Sequence, residues 1–165
     1  MSYKIVVGGG NLRFSAAHFI TFGGKCERLH GHNYALTVEL VGDLTSDGYV
    51  FDFVEMKRLL RRICDSLDHH FLIPLQNEHL KITQGDKEWE IRFGERRYLF
   101  PAQDVLTLPV DNITAERLAE YVCHQVLETL REQGVTNLVS ITVGIEEAPG
   151  QTAYYTQFLS QKGNL

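Results

Sequence analysis

The 165-residue sequence predicts an α+β fold in which two helices lie on one face of a four-stranded antiparallel sheet. Two observations support this fold class. Near both ends of the chain apolar residues alternate with polar ones, which is the period of a strand, whereas two central segments repeat their apolar residues at every third or fourth position, as helices do. In chain order, the predicted elements are two strands, two helices and two strands.

The predicted strands lie at the start and at the end of the chain. Residues 3–18 form the first strand, with three glycines at positions 8–10, and residues 33–42 form the second. Residues 137–146 alternate between apolar and polar side chains in the same way, and residues 152–159 supply the fourth strand.

The two helices are predicted from their ends as well as from their period. Asp52 and Glu55 resemble a capping box, and the helix that they open is expected to end near residues 68–70. The second helix is expected over residues 114–133, with Gly134 as its stop signal.

Residues 74–110 lie between the helices and fit neither pattern. Residues 88–93 alternate like a strand, residues 94–95 could turn the chain, and residues 97–100 could return it before a proline. We therefore expect an inserted hairpin within a single domain that spans residues 1–165.

Composition limits the classes of partner. A formal net charge of −5 argues against a broad nucleic-acid surface, which needs a basic face. The 44% hydrophobic content is ordinary for a globular protein, and no stretch is long enough to span a bilayer, so we expect a cytoplasmic protein without nucleic-acid or membrane partners. The three cysteines, Cys26, Cys64 and Cys123, are far apart and odd in number, which argues against a disulfide framework.

A run of metal-binding residue types begins at Cys26. His30 and His32 follow it at the spacing of a strand, so both can point to one face. His18 ends the first predicted strand, and antiparallel pairing would bring it alongside them. Three imidazoles without a fourth protein ligand are typical of a catalytic zinc, which keeps one position open. Cys26 as a fourth ligand would instead give a closed structural site, and the spacing leaves this alternative open.

Cys26 is also a candidate base or nucleophile. A nearby metal and the cations Lys25 and Arg28 would lower the pKa of its thiol, which suits both roles. The alternative is a loop cysteine without a role.

Five sequence blocks carry a resemblance to a known family. They are residues 14–18 (Phe-Ser-Ala-Ala-His), 26–34 (Cys-Glu-Arg-Leu-His-Gly-His-Asn-Tyr), 50–53 (Val-Phe-Asp-Phe), 67–70 (Leu-Asp-His-His) and 112–116 (Asn-Ile-Thr-Ala-Glu). Except for residues 74–110, nearly the whole chain resembles the 6-pyruvoyl-tetrahydropterin synthase and 6-carboxy-tetrahydropterin synthase family, which has the tunnelling fold. The last block departs from the family's Asn-Pro-Thr-Ser-Glu, with isoleucine for proline and alanine for serine.

The resemblance implies a Zn2+ cofactor held by three histidines, His18, His30 and His32. It also implies that Cys26 is the general base, and that Asp68 and His69 form a second proton-transfer unit in which the carboxylate fixes the imidazole. Without the resemblance, Asp68 would be read as a solvated helix end and His69 as a complement to the helix dipole.

The resemblance places a glutamate against the pterin ring, and we assign it to Glu146. A one-residue slip would select Glu147 instead. Glu146 shares a strand face with Ser140 and Thr142, whereas Glu147 shares one with apolar residues, which favours Glu146. Thr114 is expected to add a polar contact to the ring, and it can also cap the second helix.

The family members share the substrate 7,8-dihydroneopterin triphosphate and differ in product. The Cys-x-x-x-His-Gly-His spacing resembles the bacterial 6-carboxy-tetrahydropterin synthases of queuosine biosynthesis, which release acetaldehyde and triphosphate, whereas the 6-pyruvoyl enzymes have a longer spacing. Glu27 keeps an alternative open, because Glu-x-x-His-Gly-His resembles the form associated with cleavage to 6-hydroxymethyl-dihydropterin for folate synthesis. Glu27 could equally be a solvated loop charge, and the non-enzyme alternative is a zinc-binding structural module.

The resemblance also implies a homohexamer of two stacked trimers around a tunnel. Each active site would take Cys26 and zinc from one subunit, and Asp68 and His69 from a neighbour. The exposed edges of a four-stranded sheet give a physical motive, since joining edges between subunits pairs their backbone groups.

Overall fold

The computed structural model describes residues 2–159. In chain order its elements are β1 (Tyr3–His18), β2 (Thr21–Phe22), β3 (Lys25–Cys26), β4 (His30–Gly42), α1 (Phe53–Leu67), β5 (His70–Pro74), β6 (Lys81–Gln84), β7 (Glu88–Phe93), β8 (Arg96–Pro101), β9 (Val105–Leu108), α2 (Ala115–Glu132), β10 (Leu138–Ala148) and β11 (Gln151–Phe158). No helix among these elements is long and apolar enough to cross a membrane.

The main sheet has six strands in the order β11-β10-β4-β1-β5-β9. Strands β1, β4, β10 and β11 pair antiparallel, as predicted. Strands β5 and β9 extend the β1 edge in parallel, so the predicted sheet is two strands short. Leu72 in β5 packs into the core under the helices, whereas Phe71 and Ile73 pack on the opposite face. Because both faces of β5 are covered, its sequence lacks the alternation that identifies a strand.

Both helices begin where the sequence indicates. The Asp52 side chain caps α1 by accepting hydrogen bonds from the backbone N–H groups of Val54 at 2.7 Å and Glu55 at 2.9 Å. The Thr114 side chain caps α2 by accepting a hydrogen bond from the Arg117 backbone N–H at 3.3 Å. The helix predictions are therefore confirmed to within a residue or two at each end.

The first core lies between the helices and the main sheet. Alternate residues of β1 and β4 enter it, including Phe14, Tyr34 and Leu36. The helices contribute their apolar faces, with Met56, Leu60, Leu67, Leu118, Val122 and Val126 among the fully buried side chains. Removing apolar surface from water stabilises the fold by roughly 25 cal/mol per Å². His18 and His32 continue the buried faces of β1 and β4, so they lie at one end of this core.

The insertion, residues 74–110, contains more structure than the predicted hairpin. That hairpin is present as β7 and β8, but β6 pairs with β7 and completes a separate three-stranded sheet. Ile91 of the small sheet packs with Phe71 and Ile73 in a second core, which also contains Cys26. The insertion thus covers the face of the main sheet opposite the helices and reaches the loop between β1 and β4.

Candidate metal centre and active site

Strands β1 and β4 bring the three predicted histidines together. Their antiparallel pairing places His18 opposite His30 and Ala16 opposite His32. Strand β4 begins at His30 and not at residue 33 as predicted, so His30 and His32 both lie on the strand and share a face. The ring centroids of His18 and His30 are 4.6 Å apart, those of His18 and His32 5.2 Å, and those of His30 and His32 5.0 Å. The three imidazoles therefore form one compact group.

Backbone carbonyl groups orient two of the imidazoles. His18 Nδ1 lies 2.8 Å from the carbonyl oxygen of Ile113, and His30 Nδ1 lies 2.8 Å from that of Arg28. A carbonyl oxygen only accepts, so in both rings Nδ1 carries the proton and Nε2 keeps its lone pair. Metal-binding histidines are usually held in this way by the ring nitrogen that does not bind the metal.

Burial keeps His18 neutral. Loss of solvation lowers the pKa of its imidazole from 6.5 to about 4, although the hydrogen bond to Ile113 acts in the opposite direction. The neighbouring His30 and His32 lower this pKa further. At neutral pH, His18 is therefore in the form that can bind a metal ion.

Glu147, near the end of β10, supplies a fourth group. Its Oε1 lies 2.8 Å from His32 Nε2 and 3.9 Å from His18 Nε2. One ligand atom from each of His18, His30, His32 and Glu147 lies within 4.8 Å of every other. His32 Nε2 is buried but forms no hydrogen bond within residues 2–159, so its contact with the carboxylate is close without being a hydrogen bond. A buried imidazole nitrogen close to a carboxylate oxygen, without a hydrogen bond between them, fits a shared cation, and three imidazoles with one carboxylate suit zinc.

The carboxylate beside the histidines belongs to Glu147, which the sequence offers as the alternative to Glu146 for the pterin ring. Glu146 Oε1 instead accepts a hydrogen bond from the Gly150 backbone N–H at 3.0 Å, within the turn between β10 and β11. Glu147 continues the buried face of Val143 and Ile145, and that face leads to the histidines. The strand period thus explains why Glu147, and not Glu146, lies at the histidines, while the assignment of Glu146 to a pterin ring is a separate matter. A contact with a pterin ring stays a prediction.

Cys26 lies outside the four-residue group. It is buried in the second core, and this burial raises the pKa of its thiol. The Arg96 guanidinium, which comes from the insertion, acts against the rise. Lys25 and Arg28 do not by themselves lower this pKa, because desolvation is the larger effect. The fourth group near the histidines is a carboxylate, which argues against a closed site with a cysteine ligand.

Glu27 lies close to the histidines. Its Oε2 is 3.9 Å from His30 Nε2, and about a third of its side chain is exposed (36%). The carboxylate is thus both accessible to a substrate and near the predicted metal ligands.

Asp68 and His69 form a pair, as predicted. Asp68 Oδ1 accepts a hydrogen bond from the Ser15 backbone N–H at 2.6 Å, and Asp68 Oδ2 lies 2.8 Å from His69 Nδ1. These hydrogen bonds, the one from Ser15 foremost, lower the pKa of Asp68 and keep it ionised. His69 is exposed and has a φ of +57°, a left-handed conformation that is uncommon for a residue with a Cβ.

The Asp68–His69 pair is not among the four residues whose ligand atoms lie close together. His69 borders a groove that His32 of the metal group also lines, together with Ser15 and Asn33. No hydrogen bond or ion pair within residues 2–159 links the Asp68–His69 pair to Cys26 or Glu147. The predicted proton-transfer unit therefore lies outside the metal-ligand group, but it shares a groove with His32 of the same chain.

Thr114 acts as the cap of α2, which is the alternative that the sequence left open. It also lines a cavity with Asn77, Asn112 and Arg117. It is not part of the histidine group, so its contact with a pterin ring stays a prediction.

A model of the 6-pyruvoyl tetrahydropterin synthase family matches residues 10–157. The chain belongs to this family. A relative from Methanocaldococcus jannaschii, named putative 6-carboxy-5,6,7,8-tetrahydropterin synthase, is 36% identical over 152 residues, or 92% of this chain and 93% of the relative. A relative of the same name from Pyrococcus horikoshii is 30% identical over 161 residues, or 92% of this chain and 90% of the relative.

Solved structures of family members share the fold. The 6-pyruvoyltetrahydropterin synthase of Plasmodium vivax is 30% identical, with a TM-score of 0.91 over 96% of this chain and 99% of that chain. The Plasmodium falciparum enzyme is also 30% identical, with a TM-score of 0.88 over the same shares of the two chains. Two further structures of the P. vivax enzyme carry alanine or cysteine in place of a glutamate described as a catalytic residue. The expected tunnelling fold is thereby confirmed.

Proposed function

We propose that this protein is a zinc-dependent lyase that cleaves the side chain of 7,8-dihydroneopterin triphosphate. The leading product is 6-carboxy-5,6,7,8-tetrahydropterin, as in queuosine biosynthesis. The main support is the group of His18, His30 and His32, three imidazoles of the kind that hold a catalytic zinc, with the Glu147 carboxylate beside them. The names of the archaeal relatives favour the 6-carboxy product over the 6-pyruvoyl product.

In this proposal, the residues of the chain move the protons. Cys26, as a thiolate, removes a proton from a carbon of the pterin side chain. Asp68 holds the Nδ1–H of His69, so that the free Nε2 can give or take a second proton. Bound zinc would supply a Lewis acid that stabilises negative charge on the oxygens of the side chain.

The proposal includes a shared active site in a homohexamer. Cys26 and the histidines belong to one subunit, and a neighbour brings Asp68 and His69. In support, His69 is exposed, and within residues 2–159 Asp68 and His69 form no hydrogen bond or ion pair with Cys26 or with the metal-ligand group, so the pair can serve a neighbouring site.

A second product, 6-hydroxymethyl-dihydropterin, is favoured by one specific observation. Glu27 lies 3.9 Å from His30, whereas burial raises the pKa of the Cys26 thiol and so disfavours its basic form. A carboxylate base at this position would also parallel the P. vivax enzyme, in which a glutamate is described as a catalytic residue. We therefore expect Glu27 to decide how much of this product is formed.

Product identification tests both functions. The zinc-loaded protein is incubated with 7,8-dihydroneopterin triphosphate, and the pterin products are identified by mass for wild type, Cys26→Ala and Glu27→Ala. We expect Cys26→Ala to lose the 6-carboxy product by about 10²- to 10⁴-fold, the usual contribution of a positioned base. Glu27→Ala should lose the 6-hydroxymethyl product selectively. A wild-type protein that binds zinc but yields neither product would support the structural-module alternative.

A further inference from the structure

The tip of the β7–β8 hairpin carries an arginine that points to the candidate catalytic loop. Strand register pairs Phe93 with Arg96, so only Gly94 and Glu95 form the turn. Gly94 has a φ of +54°, which a two-residue hairpin turn requires of its first residue and which glycine adopts at little cost. Arg96 therefore follows directly after a tight turn, and its position is well defined.

Arg96 binds the backbone of both candidate bases. Its Nη1 donates hydrogen bonds to the carbonyl oxygens of Cys26 at 2.8 Å and Glu27 at 2.9 Å. Within residues 2–159 it forms no ion pair, whereas its neighbours Arg92 and Arg97 both pair with Glu90. The charge of Arg96 is thus directed to the loop and not to an acidic partner on its own sheet.

The hairpin is anchored to the same loop by apolar packing. Ile91, two residues before the end of β7, is completely buried and shares the second core with Phe19 and Cys26. The insertion therefore contacts the thiol-bearing segment twice, through this core and through the two hydrogen bonds from Arg96.

We infer that Arg96 is a positioning residue of the active site, which holds the Cys26–Glu27 segment through two carbonyl groups and places a positive charge beside the Cys26 side chain. This role rests on the proposed function, because it acts through the candidate bases. The charged groups that face the thiol are Arg96 and Glu27, with opposite effects on its ionisation. Arg96 thus favours the thiolate that a base needs, in a buried setting that disfavours it.

The test compares Arg96→Ala, Arg96→Gln and Arg96→Lys with a matched control, Arg97→Ala. Arg97 is adjacent in β8 and about half exposed, and it pairs with Glu90. The rate of iodoacetamide alkylation at residue 26 is followed by peptide mass mapping from about pH 7 to about pH 10 in chelator-treated protein. Cys64 and Cys123 are fully buried, so they report on unfolding of each variant.

The midpoint of the alkylation profile reports on charge, and its high-pH plateau reports on access. Loss of a cation within contact distance should raise the midpoint by about one pH unit, so alkylation below the midpoint slows about tenfold in Arg96→Ala and Arg96→Gln. Arg96→Lys should restore part of this loss, and Arg97→Ala should match wild type. With dihydroneopterin triphosphate, Arg96→Gln should lower kcat and leave KM nearly unchanged.

An unchanged midpoint in Arg96→Gln, with Cys64 still protected, overturns the inference. A higher plateau with the wild-type midpoint also overturns it, since Arg96 would then be only a structural clamp. If Arg96→Ala unfolds and thereby exposes Cys64, the alkylation midpoints of Arg96→Gln and Arg96→Lys decide whether Arg96 acts on Cys26. A wild-type protein that yields no pterin product refutes the proposed function, while the alkylation profiles still decide the role of Arg96.

Discussion

Acid should destabilise the metal-free protein through His18. Burial lowers the pKa of this imidazole from its ordinary 6.5 to about 4. Below the ordinary pKa the unfolded chain binds a proton that the folded protein does not, so the free energy of unfolding falls as the pH decreases. At about 1.4 kcal/mol per pH unit, the loss from His18 is about 2 kcal/mol at about pH 5 and approaches about 3.4 kcal/mol below about pH 4.

Urea unfolding of chelator-treated protein at about pH 7 and about pH 5 measures this loss. His18→Asn retains an amide N–H for the Ile113 carbonyl but cannot titrate. Between the two pH values, its free energy of unfolding should therefore fall by about 2 kcal/mol less than that of wild type. His79→Asn removes an exposed histidine and serves as the control. Equal losses between the two pH values in wild type and His18→Asn would refute the reasoning.

Three further predictions follow from the site. Glu147→Gln should weaken zinc binding by about 10- to 100-fold in a competition titration with a chromophoric chelator, because its carboxylate contacts His32, whereas Glu146→Gln should leave it unchanged; equal effects would contradict this placement. In urea unfolding, the free energy of unfolding of His69→Gly should be about 1 kcal/mol higher than that of His69→Ala, because only glycine adopts a φ of +57° freely. Equal values for the two variants would show that this conformation costs nothing. Cys26→Ala and His69→Ala subunits, each inactive alone, should recover about a quarter of wild-type activity when denatured and reassembled together in equal amounts, because one site in four then receives both intact residues. A mixture that stays inactive, with subunit exchange shown by native mass spectrometry, would rule out the shared site.

The parts of the fold that could be predicted from sequence are those with one solvent-exposed face and one buried face. The apolar residues of these elements recur at the period of a strand or a helix, so the sequence pattern reveals them. They are strands β1, β4, β10 and β11 and both helices. Strand β5 is covered on one face by the helix core and on the other by the insertion. Its apolar run has no strand period. Its partner strand β9 starts at Val105, 31 residues after β5 ends at Pro74, so the local sequence indicates neither strand.

The histidines were predictable because their chemistry is local. His30 and His32 are two residues apart, and His18 needs only the pairing of two neighbouring strands to reach them. The Asp68–His69 pair could be predicted only through the family resemblance, because the residues alone indicate a solvated helix end. What the residue pattern could not give is that His69 and His32 border one groove, because this depends on how strand β5 joins the sheet.

The positions of Glu147 and Arg96 at the site depend on strand pairing and packing, which the local sequence does not show. A glutamate after an apolar strand face looks like the start of a turn, and only the pairing of β10 with β4 shows that this face continues into the histidine group. Arg96 is one of four arginine or lysine residues within 87–97 flanking a turn, and nothing in its local sequence separates it from Arg97. The distinction arises from packing: the buried Ile91 sets the hairpin against Cys26, and the register then directs one arginine to the loop and the next to Glu90. A residue's role at this site is therefore fixed by which face of a strand it occupies, and that becomes visible only when the partner strand is known.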